Sequence, residues 1–374
     1  MRALGVSFAA VSAAWAVGCV SLGGLSANDR AADDGGMTGD ANNTDGTATV
    51  GDAGLDGQVG DGSVADHDAT DSAACPNGVC PTMLTAAVGP QRLALAATAV
   101  YWVSSGAVGR VGLDGSASKA LALSAPVFAS VERDVAVGPA GTPYVTVPNK
   151  GAAACTADLS ACGAGFVGSA GASSSVTVDA ANVYIGIFDD GNGTKTGGIW
   201  RTDLNGGNPN AYPMVVDEVL DLQVVGTTTF YRTSTAINST TMPSSAPAAV
   251  IDLAGDAPLA FAVQGSALVV ATTNRHLHIC TLSGATCGSI LPSVIVSTPD
   301  TPNAVTADSA HIFWVQGGAA GSVHRCDMPS CANPMVIAEG QASPSDIAVD
   351  ATSVYWTNHG DAAGVGGAIM KLPK

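Results

Sequence analysis

The stretch IAVDATSVYW at 347–356 sets apolar residues at alternating positions, turns at Asp350-Ala351-Thr352, and resumes in a second β-rich run. Period-two alternation on both sides of a short polar turn is a hairpin, because successive strand side chains point to opposite faces. The phrase recurs as LALAATAVYW (93–102), VAVGPAGTPYV (135–145), VTVDAANVYI (176–185), LQVVGTTTFY (222–231), FAVQGSALVV (261–270) and VTADSAHIFW (305–314). Asp179, Asp308 and Asp350 stand at the turn entry, where a carboxylate can accept hydrogen bonds from its own downstream backbone.

Each hairpin is followed by a Gly-rich loop, a third strand such as GGIWRTDL (197–204) or GSVHRCDM (321–328), and a fourth such as PMVIAEG (334–340). Four strands in roughly 42 residues is the size of a propeller blade. The expected fold is therefore all-β, a seven-bladed β-propeller over 75–374. Because the copies at 222–231 and 261–270 are the most decayed, six blades is the alternative. The last copy stops at its third strand, Ile369 to Lys374, while CPNGVCPTMLTAA (75–87) reads like CDMPSCANPMVIAE (326–339). Met83-Leu84-Thr85-Ala86 is thus expected to be the outer strand of the seventh blade, sealing the ring and removing a sheet edge.

The run PSDIAVDATSVYWTNHG (344–360) resembles YWTD and NHL β-propeller repeats. The match is closer still to the degenerate propellers of bacterial predicted lipoproteins, which carry C-x4-C in the outer hairpin. YWTD propellers have six blades, so a seventh copy departs from that pattern. Such a resemblance implies a fold and not an activity.

Ahead of the repeats, Arg2, an apolar small-residue run from Ala3 to Val17, and Ala16-Val17-Gly18-Cys19 form the layout of an export signal. The apolar run is shorter than the roughly 20 residues a membrane span needs. Its end resembles the bacterial lipoprotein signal, which implies a signal peptide over 1–18 and lipidation at Cys19. Residues 19–74 then form a stalk: Val20 to Ala74 holds eleven aspartates against Arg30 alone and no aromatic residue. Such a segment cannot bury enough apolar surface to offset its ordering entropy, so disorder is expected. The chain is placed in the bacterial cell envelope, on the outer membrane or periplasmic face, as a monomer held to the membrane by lipid. With a net charge of −17 and no basic patch, nucleic acid is excluded as a partner.

Apart from Cys19, the cysteines fall into four neighbouring pairs: Cys75/Cys80, Cys155/Cys162, Cys280/Cys287 and Cys326/Cys331. An even count, local spacing and export argue for disulfides. Aligned on the repeat, each pair spans the hairpin between third and fourth strands, where facing residues come within disulfide reach. The four bonds are expected to staple exposed outer hairpins, each contributing about 2 kcal/mol by the chain-entropy estimate. His276, His278 and Cys280 form an H-x-H-x-C run whose side chains share one strand face, a geometry that permits zinc or copper. Since Cys280 has a disulfide partner, the run reads as an exposed polar strand face and no metal site is assigned.

Propeller ligands usually meet the loops entering the innermost strands and those joining second to third strands. The entry positions Arg92, Arg133, Asp134, Asp221 and Asp346 would ring one channel mouth, a candidate site for a polar ligand or ion. Two Gly-rich loops, 189–198 and 358–367, add Asp189, Asp190, Asn192 and His359 as candidate binding residues. The first three offer oxygen donors to calcium but lack the alternating carboxylates and distal Glu of a calcium loop, so no cofactor beyond that ion is considered. G-x-S-x-G and H-E-x-x-H are absent, and six histidines leave little general-base capacity. No catalytic residue is assigned. The expected role is a module that binds an envelope protein or extracellular ligand. The alternative is a propeller lyase or hydrolase acting on an extracellular polymer or peptide.

Overall fold

The computed structural model describes residues 75, 78–123, 133–147, 150–165, 172–189, 197–211, 218–241, 246–288, 296–297 and 300–374. Cys19, the signal and the stalk lie outside them. The described residues hold no α-helix and form seven antiparallel sheets, one per repeat. Blade one comprises Arg92–Leu95, Ala99–Val103, Ala107–Gly112 and Lys119–Ala122. Blade two has Val135–Val137, Pro143–Val147 and Gly151–Ala154, with an isolated bridge between Cys155 and Cys162 in the place of a fourth strand. Blade three has Ala172–Val178, Asn182–Asp189, Gly198–Asp203 and Asn210–Ala211. Blade four has Asp221–Val225, Thr228–Arg232, Ile237–Thr241 and Ala248–Ala249. In blade five, Pro258–Gln264, Ala267–Thr272 and His276–Ser283 precede two short strands, Thr286–Cys287 and Val296–Ser297, which both pair with the third. Blade six is Pro302–Ala307, His311–Gln316, Gly321–Asp327 and Ala332–Gln341. The decayed copies in blades four and five are thus full blades, and the count is seven.

Blade seven runs Pro344–Val349, Ser353–Asn358, Ala368–Pro373, and its fourth strand is the N-terminal Thr82–Ala86. Thr82 faces Lys371, Met83 faces Met370, and Ala86 faces Ala368. First strands of neighbouring blades touch all the way round, including blade seven against blade one, so the ring is closed.

Among the described residues the core is divided into seven, one in each seam between blades. The alternation of the repeated phrase produces them. Ile347, Val354 and Trp356 pack against Ala304, Phe313 and Val315 of blade six, whereas Ala348 and Tyr355 pack against Leu93, Leu95 and Trp102 of blade one. Each blade is sandwiched, which is why first and second strands read as near-continuous apolar runs. Burial of one such side chain contributes about 1.5–3 kcal/mol. Close approach requires glycine at 109, where a Cβ would lie 2.1 Å from the ring of Trp102 on the paired strand.

The turn aspartates behave as expected. Asp179 Oδ1 accepts from the N–H groups of Ala181 and Asn182 at 2.8 and 2.7 Å, and Asp350 Oδ1 from those of Thr352 and Ser353 at 2.7 and 2.8 Å. Tyr184 and Tyr355 donate their hydroxyls to the second oxygens of the same carboxylates.

All four disulfides form in the expected pairs, Cys75–Cys80, Cys155–Cys162, Cys280–Cys287 and Cys326–Cys331. Their setting departs from exposed hairpin staples in three of the four: Cys155, 3% exposed, packs with Leu159 in the seam between blades one and two. Cys75–Cys80 precedes the closing strand and spans no hairpin, because blade seven is built from the two chain ends. Cys326–Cys331 is buried: Cys326 ends inside the third strand of blade six, and Cys331, in the turn before Ala332, takes a left-handed φ of 53°. Both sulfurs join the apolar seam between blades five and six, beside Leu277, Ile312 and Trp314, since inward-facing third-strand positions there are covered by the neighbouring blade.

Candidate functional site

One position on each first strand, or directly ahead of it in blade two, immediately before the repeated phrase, decides the chemistry of the ring. Blades one to seven place Arg92, Asp134, Ser175, Asp221, Ala260, Ala304 and Asp346 there. The four charged members are at most 5% exposed, and Arg133, one residue earlier in blade two, is 2% exposed. Such burial is tolerated only with partners.

Asp346 shows how the partners are arranged. Its Oδ2 accepts the Leu93 N–H of blade one at 2.8 Å, and its Oδ1 accepts the Ile347 N–H of its own strand at 2.9 Å. Its own N–H donates to Thr357 Oγ1 on the second strand. Asp134 repeats the pattern, accepting from Val135 at 2.8 Å and from Val176 of blade three at 2.9 Å, with its N–H donated to Thr146 Oγ1. Other side chains bridge other seams: Gln223 of blade four both donates to and accepts from the backbone of Val263 in blade five, and Asn303 of blade six donates to Pro344 O of blade seven. In blade four, Asp221 and Arg232 sit opposite each other in register, and Arg232 donates to Pro258 O of blade five at 3.2 Å. Arg232 and the two threonines were not legible as site residues, because each lies on a second strand outside the entry position.

The ring is electrostatically coupled. Burial pushes Asp134 up to about 7, with Arg92 opposing and Asp221 adding to the rise. Burial likewise raises Asp346 well above the usual carboxylate range, against the pull of Arg92. Desolvation lowers Arg133 from its ordinary value.

Of the loop candidates, Asp189 ends the second strand of blade three, while Asp190 and Asn192 lie outside the described residues. His359 follows the second strand of blade seven. Its Nδ1 lies 3.1 Å from Asp361 O, and its ring sits beside Gly89. There the loop 359–367 bonds the segment entering blade one, through Ala87 N–H to Gly367 O and Gly89 N–H to Gly364 O.

On the same face of blade five, the strand carrying H-x-H-x-C is not the exposed polar one its alternation suggests. Cys280 is joined to Cys287, and His278 is 3% exposed. His276 Nδ1 and His278 Nε2 approach Asp256 Oδ2 to 2.7 and 3.0 Å. Asp256 belongs to the loop entering the first strand and His276 to the start of the third, so the two meet where entry loop and second-to-third loop adjoin. Partial burial opposes ionisation of Asp256, but the bonds with His276, His278 and Asn274 outweigh it and hold the carboxyl below the usual range.

No protein-family model matches the sequence, and no curated protein matches it significantly. Solved structures do. Virginiamycin B lyase from Staphylococcus aureus is 16% identical over 79% of this chain and 99% of its own, with a TM-score of 0.61. The protein U3-55K is 9% identical over 79% of this chain and 98% of its own, also at 0.61. A computationally designed protein, Ika8, is 10% identical over 76% of this chain and 83% of its own, at 0.53. At such identities the likeness is one of fold: the chain is a β-propeller.

Proposed function

We propose that this chain is a lipid-anchored protein of the bacterial envelope whose propeller serves as a binding or scaffolding ring. The observation that carries the reading is the use made of the channel-entry charges. Asp134 and Asp346 each occupy both carboxylate oxygens with backbone N–H groups, one of them from the neighbouring blade. Groups so held lock the ring and are poorly placed to move protons to a substrate, leaving the loops of that face as a rigid platform for recognition. Export to an oxidising compartment agrees with the four disulfides. The lipobox-like Cys19 supplies the membrane attachment, and the Asp-rich 19–74 segment the tether.

The competing reading, a lyase or hydrolase, draws on the shared fold with virginiamycin B lyase and on His359. His359 Nδ1 lies 3.1 Å from a main-chain carbonyl, which leaves Nε2 as the proton acceptor, and that nitrogen is turned toward the backbone at Gly89. The discriminating experiment is affinity capture of the anchored chain from its own envelope after photo-crosslinking. The binding reading expects a saturable partner recovered chemically unaltered. Recovery of cleaved or eliminated product, or no partner above background, overturns it.

A further inference from the structure

We propose that Asp256, His276 and His278 of blade five form a binding site for a divalent transition-metal ion of the zinc class. Their donor atoms, Asp256 Oδ2, His276 Nδ1 and His278 Nε2, all lie within 4.8 Å of one another. Two imidazoles and one carboxylate is a donor set that zinc accepts, with the fourth position of a tetrahedron left to water or a ligand atom. In a tetrahedral site with bonds near 2.0–2.1 Å, neighbouring donors stand about 3.3 Å apart. The two His–Asp separations of 2.7 and 3.0 Å would open by about 0.6 and 0.3 Å, while the two imidazole nitrogens, within 4.8 Å of each other, would settle to the same spacing. His276, with its side chain 30% exposed, has the freedom to make that movement, whereas His278 and Asp256 at 4% and 12% are held by their surroundings.

The strand supplies the geometry. Residues two apart on a strand share a face, so His276 and His278 present their rings together, with centroids 6.0 Å apart. The carboxylate is itself oriented: Asn274 donates to Asp256 Oδ1, which leaves Oδ2 turned toward both imidazoles, and Thr272 Oγ1 lies 3.3 Å from Oδ2. Partners behind the ligands that fix their direction are a regular part of metal sites.

Blade six provides an internal comparison. Aligned on Cys280 and Cys326, and on Pro258 and Pro302, it carries Asp300, Ser322 and His324 where blade five has Asp256, His276 and His278. His324 satisfies itself differently, bonding Ser322 Oγ at 2.7 Å and stacking on Trp314 with centroids 5.0 Å apart. A third-strand histidine at this position therefore needs only a hydroxyl as its partner. Blade five replaces that hydroxyl with a second imidazole and aims both at one carboxylate oxygen, and this is the set that can chelate.

The test uses the full chain, stripped of metal with a chelator and shown by thiol titration under denaturing conditions to keep its disulfides closed. Zinc chloride and cobalt chloride are then titrated in equilibrium dialysis and absorbance. The expected result is about one equivalent of zinc bound at micromolar or lower concentration, with cobalt giving the visible bands of a low-coordinate N/O site. His276→Ser, which reproduces the blade-six arrangement, and Asp256→Asn should each weaken zinc binding about 100-fold or more. His324→Gln should leave it unchanged. Circular dichroism on each variant verifies folding, and should one variant fail to fold, the other decides. The proposal is overturned if the wild-type chain takes up no stoichiometric zinc at a tenfold excess, or if a folded His276→Ser or Asp256→Asn protein binds it as the wild type does.

Discussion

Replacing Asp346 by alanine should open the seam between blades seven and one. The carboxylate is fully buried and accepts two backbone N–H groups, those of Leu93 and Ile347. Alanine leaves both donors buried with their acceptor gone, at about 1–3 kcal/mol each. It also deletes the negative charge that neighbours Arg92. Working against this, the carboxylate's own burial is unfavourable, as its raised pKa shows, so the net loss is set at about 2–5 kcal/mol. For roughly 300 folded residues the unfolding entropy is about 0.6 kcal/mol per degree, so the melting temperature should fall by about 3–8 °C. Differential scanning calorimetry reads this directly. Asp361→Ala is the control. Its carboxylate also caps two backbone N–H groups, Ala363 and Val365, but in an exposed loop, and it should cost less than about 1 kcal/mol. Equal melting temperatures for the two variants would refute the seam argument.

Asp134 carries a pH signature. Its folded pKa of about 7 lies above the ordinary 3.8, so between those values the native state holds more protons than the unfolded chain and stability falls as pH rises. His324, lowered by burial to about 4, acts in the opposite sense over much of the same range, so the wild-type profile alone is uninformative. The difference is informative: the melting temperature of Asp134→Asn relative to wild type should climb from pH 4 to pH 7 and level off above it, and a flat difference would contradict the assignment. Separately, Cys19→Ser should move the chain from the membrane to the soluble fraction and abolish acyl labelling. Continued sedimentation of that variant with membranes, together with a wild type that takes up no label, would end the lipoprotein reading.

Much of the fold was legible because each blade repeats the same local rule. Alternating apolar residues around a short turn, entered by Asp in three of the seven copies, specify the hairpin, and the seams follow from alternation, since Ile347 and Ala348 must face different neighbours. Ring closure was legible from a sequence likeness between 75–87 and 326–339 at opposite ends of the repeat array. The cysteine pairing was legible from spacing, but the burial of Cys331 was not, because the blade that covers it is set by the ring and not by its own hairpin. The site was harder still. That Asp346 enters a first strand could be read, but its acceptance of the Leu93 N–H joins residues 253 apart and arises only when the last blade meets the first. The H-x-H-x-C run marks the strand whose two imidazoles meet a carboxylate, but not that carboxylate. Cys280 went to its disulfide, and Asp256, twenty residues before His276, arrives through the wrap of the blade. Its signal was present in the place it shares with Asp300, two residues before the proline that opens the first strand, and becomes readable once blades are aligned by strand.

The binding reading needs a rigid, closed ring, and closure rests on one strand. Thr82–Ala86 pairs with Ala368–Pro373, Leu84 is buried against blades seven and one, and Thr85 Oγ1 lies 2.9 Å from Ser118 Oγ of blade one. The most direct measurement compares the melting temperatures of two deletions, with far-UV dichroism first verifying β content. Removing 20–74 should leave the value within a degree or two of the parent. Removing 75–88 strips blade seven of its outer strand, the buried Leu84 and one disulfide, and should lower it by at least about 5 °C. A 75–88 deletion that melts with the parent would contradict the closed ring and return that segment to the stalk.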